Sequence, residues 1–245
     1  MQIGSFEFKP ALWPTLAALV IVPSFVGLGI WQLGRAADKQ ERLQAYAQSE
    51  QYGPANINLG QVFDATQGYR QVRLTGHYDG QHPFLLDNQM QDGRVGYHVF
   101  TPLLMTHDRA ILVNRGWLPQ GTSRSELPAL TTPQGEISIT GVLSPEPGYG
   151  MLLGDDIESD KIWPRVVQAI VLPRLQQELS NVELAPQVLL LDPDEAGGFV
   201  REWKIVQFGP ERNHGYAFQW FSMAAAVLII FIVVNTRRRV RVTEE

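Results

Sequence analysis

Two uncharged apolar runs, residues 10–34 and 215–236, constrain this 245-residue chain more than any other feature. Each exceeds the roughly 20 residues that carry an α-helix across about 30 Å of hydrocarbon at about 1.5 Å per residue. The first contains LWPTLAALVIVPSFVGLGIWQL, residues 12–33, with Trp13 and Trp31 near its ends, where amphipathic rings favour a membrane interface. Gly27 and Gly29 leave room for a second helix. The second contains YAFQWFSMAAAVLIIFIVVN, residues 216–235. A cleaved signal peptide is the competing reading of the first run. The run is too long for one, and Arg35 interrupts the nearest small-residue cleavage site, Ala36-Ala37.

Arg237, Arg238, Arg239 and Arg241 follow the second run directly. Basic loops stay in the cytoplasm, so this cluster places the C-terminus there, and two spans return the N-terminus to the same side. Lys9 before the first run and Arg35, Lys39 and Arg42 after it set no clear bias. The expected organisation is a short cytoplasmic N-terminus (1–11), a first transmembrane helix (12–33), a periplasmic β-rich domain (34–213), a second transmembrane helix (214–236) and a basic cytoplasmic tail (237–245). The expected location is a bacterial inner membrane. Only eleven residues precede the first span, without an Arg- and Ser-rich presequence, which favours a bacterium over a mitochondrion.

The middle of the chain carries 22 Asp and Glu against 15 Lys and Arg. Outside the tail there is no strongly basic surface for nucleic acid. The absence of cysteine removes disulfides, thiolate metal sites and cysteine nucleophiles. Residues 36–51 are rich in helix formers and lack Gly and Pro, so they extend the first helix or begin a new one, and Gly53-Pro54 stops it. Residues 69–78 alternate apolar and polar as a half-buried strand does. Short runs of strand type follow at 84–88, 97–104, 110–117, 137–143 and 188–191, and Gln91-Asp92-Gly93-Arg94 reads as a hairpin turn. Residues 172–180 suggest a short helix and 148–160 a loop. The fold class is therefore a membrane protein in which two transmembrane α-helices flank an α+β domain, built on an antiparallel β-sheet or a partly closed barrel.

Chemistry is sparse. The five histidines form no compact metal-ligand spacing, and no nucleophile elbow, phosphate-binding loop or dinucleotide fingerprint occurs. Asn114-Arg115-Gly116-Trp117 reads either as a stacking or anion-binding corner or as a strand end capped by a turn. His214 opens the second span, where an ionisable residue suggests a site. Imidazole suits iron, and a flat porphyrin could lie between two helices beside Trp and Phe. The alternative is an interfacial histidine bonded to lipid headgroups, with Tyr216, Trp220 and Phe221 as an ordinary aromatic belt.

Six motifs in order resemble the Surfeit locus protein 1 family over nearly the whole chain. They are Gly29-Ile30-Trp31-Gln32-Leu33-Gly34-Arg35; Tyr69-Arg70 with Val72, Leu74, Gly76 and Tyr78; Asn114-Arg115-Gly116-Trp117-Leu118-Pro119; Gly141-Val142-Leu143; Arg201-Glu202-Trp203; and Tyr216-Ala217-Phe218-Gln219-Trp220-Phe221. The resemblance implies a non-enzymatic assembly factor for cytochrome c oxidase or another haem-copper oxidase. It would help insert haem a into the catalytic subunit, working beside that subunit and the haem a synthesis enzymes. The family's histidine ligand usually stands three residues before the Tyr; here that position is Asn213, and His214 stands two before it. On the resemblance, His214 is the axial ligand of haem iron. Trp31, Arg35, Tyr216, Trp220 and Arg115 surround the cofactor, and Arg35 or Arg115 pairs with its propionates. A scaffold or chaperone that holds an oxidase subunit without haem is the alternative. A periplasmic enzyme with two anchors has no positive feature behind it.

Overall fold

The computed structural model describes the chain except residues 1, 4–5, 58–61, 63–67, 122–126, 148–161, 180–181, 204, 207 and 239–245. The loop expected at 148–160 and the last arginines of the tail lie outside the described residues. There are two compact units, Met1–Leu43 with Val206–Glu245, and Gln44–Ile205. Two short strands, β1 (Gln2–Ile3) and β2 (Phe6–Phe8), precede helix α1 (Leu12–Tyr52). The helix formers after the apolar run continue one uninterrupted α1. It ends at Gly53, whose φ of 68° is the left-handed conformation that closes helices, followed by Pro54.

The unit Gln44–Ile205 is built on eight strands: β3 (Ala55–Asn56), β4 (Arg70–Tyr78), β5 (Phe84–Gln91), β6 (Arg94–Leu104), β7 (Arg109–Pro119), β8 (Glu136–Ser144), β9 (Arg165–Val167) and β10 (Glu183–Leu191). Helix α2 (Leu172–Glu178) precedes the last of them. Five of the six strand-type runs lie within one of these strands, and the sixth, 69–78, begins one residue before β4. The β5–β6 turn places both Asp92 (φ 48°) and Gly93 (φ 74°) in the left-handed region, as a two-residue hairpin requires. The sheet order is β3-β4-β8-β10-β7-β6-β5-β9, and β4 also pairs with β6 at His77↔Leu104 and Tyr78↔Leu103.

The sheet is mixed, which corrects the antiparallel expectation. β10 runs parallel to β7, β3 to β4 and β9 to β5. The reason is a crossover: after β8 the chain passes through β9 and α2 before β10 inserts between β8 and β7. Strands in that position are covered on both faces, so they read as continuous apolar runs. Val188 and Leu190 join the cluster of Phe84, Phe100, Leu112, Leu172 and Leu175; Leu189 and Leu191 join that of Val72, Leu74, Leu103, Ile111 and Leu143.

In the other unit, helix α3 (Pro210–Val234) leads into strand β11 (Thr236–Arg238), which pairs antiparallel with β2, itself paired with β1. Both helices are long and apolar enough to cross a membrane, with mean hydropathy of 2.0 and 2.3, and only 6% and 11% of those apolar windows is buried. Asn235 ties the helix ends together. Its Oδ1 accepts from the Ala11 N–H (2.7 Å), its backbone carbonyl accepts from Lys9, and its Nδ2 donates to the Phe231 carbonyl.

Candidate functional site

α1 and α3 form an antiparallel hairpin with a closed seam. The Phe25 and Trp220 rings lie 5.5 Å apart. Gly29 lies against the Phe221 ring so closely that a Cβ there would stand 2.6 Å from it; Gly27, also expected to allow contact, faces open space. Ala36, Ala217 and Ala224 are buried. At the end remote from Asn235, Asn213 Nδ2 donates to Gln32 Oε1 (2.6 Å) and Asn213 Oδ1 accepts from Lys39 Nζ (2.7 Å). These contacts phase both helices. Gln32 stood in the sequence only as a motif residue and Asn213 only as the position before His214; Lys39 was not singled out as a site residue. Their signal was the presence of polar side chains where apolar runs end.

One residue turns an α-helix by about 100°. His214 therefore turns out of the seam that Asn213 faces, and it is exposed. From Gln32, Gly29 lies about 60° to one side and Arg35 about 60° to the other. Phe221 packs on the Gly29 side, and His214, seven residues before it, shares its face to within about 20°. His214 and Arg35 thus occupy opposite sides of the hairpin. Trp31 and Tyr216, 58% and 38% exposed, lie on the Arg35 side. Trp220 is held in the seam by Phe25.

The expected haem cradle does not fit this arrangement. The Phe221 ring, the Phe25–Trp220 contact and the Gln32–Asn213 bond fill the space between the helices where a porphyrin would lie. On the outer surface, the histidine is on one side and the arginine for the propionates is on the other.

Arg115 belongs to the sheet unit. It is fully buried, with its guanidinium between the Tyr78 and Phe199 rings at 5.1 and 5.0 Å. Nε and Nη2 donate to the Gly197 carbonyl, Nη2 also to the Thr131 carbonyl, and Nη1 to the hydroxyls of Thr132 and Thr101. Burial lowers its pKa, and burial raises that of Tyr78 to about 12, so the phenol beside it stays neutral. Arg115 does stack, but on Tyr78 and Phe199 and not on the neighbouring Trp117, and an anion would meet donors already committed to the protein's own oxygens. A propionate would have to displace them.

Next to Arg115, the Asn114 side chain links two elements. Its Oδ1 accepts from the Gly116 N–H (3.1 Å) and its amide nitrogen lies 3.1 Å from His98 Nδ1. Burial lowers the His98 pKa below 6.5, opposed by the bond to Asn114. The folded protein therefore holds His98 neutral where the unfolded chain takes a proton, and stability falls as pH drops through about 6.5, levelling only below the folded pKa. Melting temperatures between pH 8 and pH 5 should fall less steeply in His98→Gln than in the unaltered protein; equal slopes would remove His98 as the cause.

A cleft of about 390 Å³ opens beside the end of α1, lined by Gln48, Ser49, Tyr69, Arg70 and Gln71. Gln71 donates to Asp192 at 3.3 Å.

Residues 19–225 match the SURF1 family. A SURF1-like protein of Rickettsia felis is 27% identical over 225 residues, covering 89% of this chain and 95% of that protein. Surfeit locus protein 1 of Takifugu rubripes is 27% identical over 142 residues, 51% of this chain and 59% of its own length. Cytochrome oxidase assembly protein SHY1 of Saccharomyces cerevisiae is 28% identical over 96 residues, 38% of this chain and 25% of its own length.

Proposed function

We propose, because this chain belongs to the SURF1 family, that it is a membrane-anchored assembly factor for cytochrome oxidase that holds an oxidase subunit without binding haem. The name of the yeast relative supports the assembly role. The observation that carries the haem-free form is the closed seam: Asn213 clamps it at one end, Asn235 at the other, and aromatic rings fill it between. Such a hairpin offers a rigid apolar surface, not a cavity. In lipid, helices associate through close packing and hydrogen bonds, and two side-by-side helices with little of their apolar surface buried can pack against a third.

Two spans with both termini cytoplasmic and the sheet unit in the periplasm is the topology of this reading. The exposure of the apolar windows supports a lipid environment over a soluble core. The β2–β11 pairing, which joins the two ends of the chain, supports termini on one side. The Rickettsia relative supports a bacterial inner membrane. The additional β4–β6 pairing supports a partly closed barrel, with Gly76 leaving room beside the Leu104 carbonyl for the strands to meet.

The test is purification of the protein from cells that make haem a, with its visible spectrum and its bound partners read together. The oxidase catalytic subunit should co-purify without a haem band, and His214→Ala should change neither. A haem a band that His214→Ala abolishes would overturn the haem-free form and restore delivery of haem a as the function.

A further inference from the structure

As membrane spans, α1 and α3 carry basic residues at both ends. Basic residues belong at the cytoplasmic end, where Arg237 and Arg238 stand, yet Arg35, Lys39, Arg42 and Arg212 cluster at the other end. They also share one side of the hairpin. From Gln32, Lys39 lies about 20°, Arg35 about 60° and Arg42 about 80° toward the side away from Gly29. On α3, Arg212 and Tyr216 lie about 100° and 60° from Asn213 on the side away from His214. With Gln32 paired to Asn213, Arg35 lies about 4.5 Å beyond that level and Arg212 about 1.5 Å, so the two arginines are within about 3 Å along the axis.

Arg212 is held in place. Its guanidinium lies 4.3 Å over the Phe208 ring and 5.7 Å over Tyr216, and it donates to the Tyr216 hydroxyl from Nη2 (3.2 Å) and Nε (3.4 Å). Nη1 has no partner among the described residues, and Arg35 makes no ion pair among them. Asp38 is the carboxylate on this side, one turn further out and in no ion pair among the described residues. Trp31 and Tyr216 are exposed just inside the level of the arginines, at the depth of glycerol and the upper acyl chains.

We propose that this side of the hairpin binds the phosphate headgroup of an anionic membrane lipid, Arg35 and Arg212 forking on the phosphate oxygens with Trp31 and Tyr216 against the lipid below. The proposal rests on the membrane reading. It commits to a lipid because the cations sit where the apolar runs end, at the level of headgroup phosphates, and because planar guanidinium forks match phosphate oxygens.

The full chain in mild detergent, titrated with phosphatidylglycerol or phosphatidylcholine and read by native mass spectrometry, tests it. Phosphatidylglycerol should bind and phosphatidylcholine should not. The double variant Arg35→Gln/Arg212→Gln should bind about thirtyfold more weakly, at about 1 kcal/mol per arginine. His214→Gln and Arg237→Gln/Arg238→Gln should bind as the unaltered chain does, and millimolar inorganic phosphate should not displace the lipid. Unchanged binding by the double variant, equal binding of both lipids, displacement by phosphate, or loss only in the tail variant would each overturn the proposal. Alkaline carbonate extraction of membranes separates the two readings. Release of the unaltered chain would sink the membrane reading as well, whereas retention with unchanged lipid binding by the double variant would sink the lipid site alone.

Discussion

Arg115→Met should destabilise the folded chain by about 4 kcal/mol. The carbonyls of Gly197 and Thr131, both on exposed residues, lose a charged donor that water replaces only in part, at about 1 kcal/mol each. The stacking of a desolvated guanidinium between Tyr78 and Phe199 contributes about 2 kcal/mol per ring. Methionine recovers part of this through its own apolar contacts. For a unit of this size that corresponds to a fall of roughly 10 °C in melting temperature, read by tryptophan fluorescence of the full chain in detergent. Arg115→Lys keeps the charge but has one donor group where five N–H bonds are spread around a plane, so it should lose about half as much. Arg94→Met, at an exposed hairpin position, should change little. A loss below 1 kcal/mol in Arg115→Met would show that the carbonyls find other donors.

Gly116→Ala should come close to the same effect by a different route. Gly116 has φ 110°, where L side chains rarely go, and a Cβ there would stand 2.6 Å from the Val200 carbonyl and 2.8 Å from Arg201 Cγ. That carbonyl accepts from the Trp117 N–H at 2.7 Å, and the same returning segment carries the Phe199 N–H to the Arg115 carbonyl at 2.7 Å. Backbone strain costs about 1–3 kcal/mol, and moving the segment costs its hydrogen bonds as well, for a total of about 3–4 kcal/mol. Gly135→Ala isolates the strain, because Gly135 has φ 83° with nothing within 4 Å of a new Cβ; it should lose only about 1–2 kcal/mol. The segment that Gly116→Ala displaces also holds Gly197, so the losses in Gly116→Ala and Arg115→Met should not add. Equal losses at Gly116 and Gly135 would mean that the segment yields freely.

What could be read from the sequence was what is local. The strands announced themselves by alternation or by short apolar runs, and the Asp92-Gly93 turn by residues that tolerate positive φ. The direction of β10 could not be read, because an apolar run of four residues carries no mark of which neighbours flank it. β1 and β2, of two and three residues, are too short for any period to emerge. Arg115 illustrates a second limit. Its neighbourhood in the chain suggested an aromatic partner, but the rings that sandwich it, Tyr78 and Phe199, are far away in sequence, and so are the carbonyls that use up its donors. At the hairpin a single residue decided the outcome. Asn213 took the seam, and the 100° step to His214 put the histidine on the side without arginines.

The position of β10 between β7 and β8 also bears on how the protein is made. A ribosome delivers β7 and β8 early, but the strand that joins them is completed only at Leu191, shortly before the second apolar run emerges. Until then the two halves of the sheet lack their shared neighbour, and the first helix must hold an unfinished domain. Nascent chains that stop before β10 should therefore remain open to protease, and those that extend past Leu191 should become resistant.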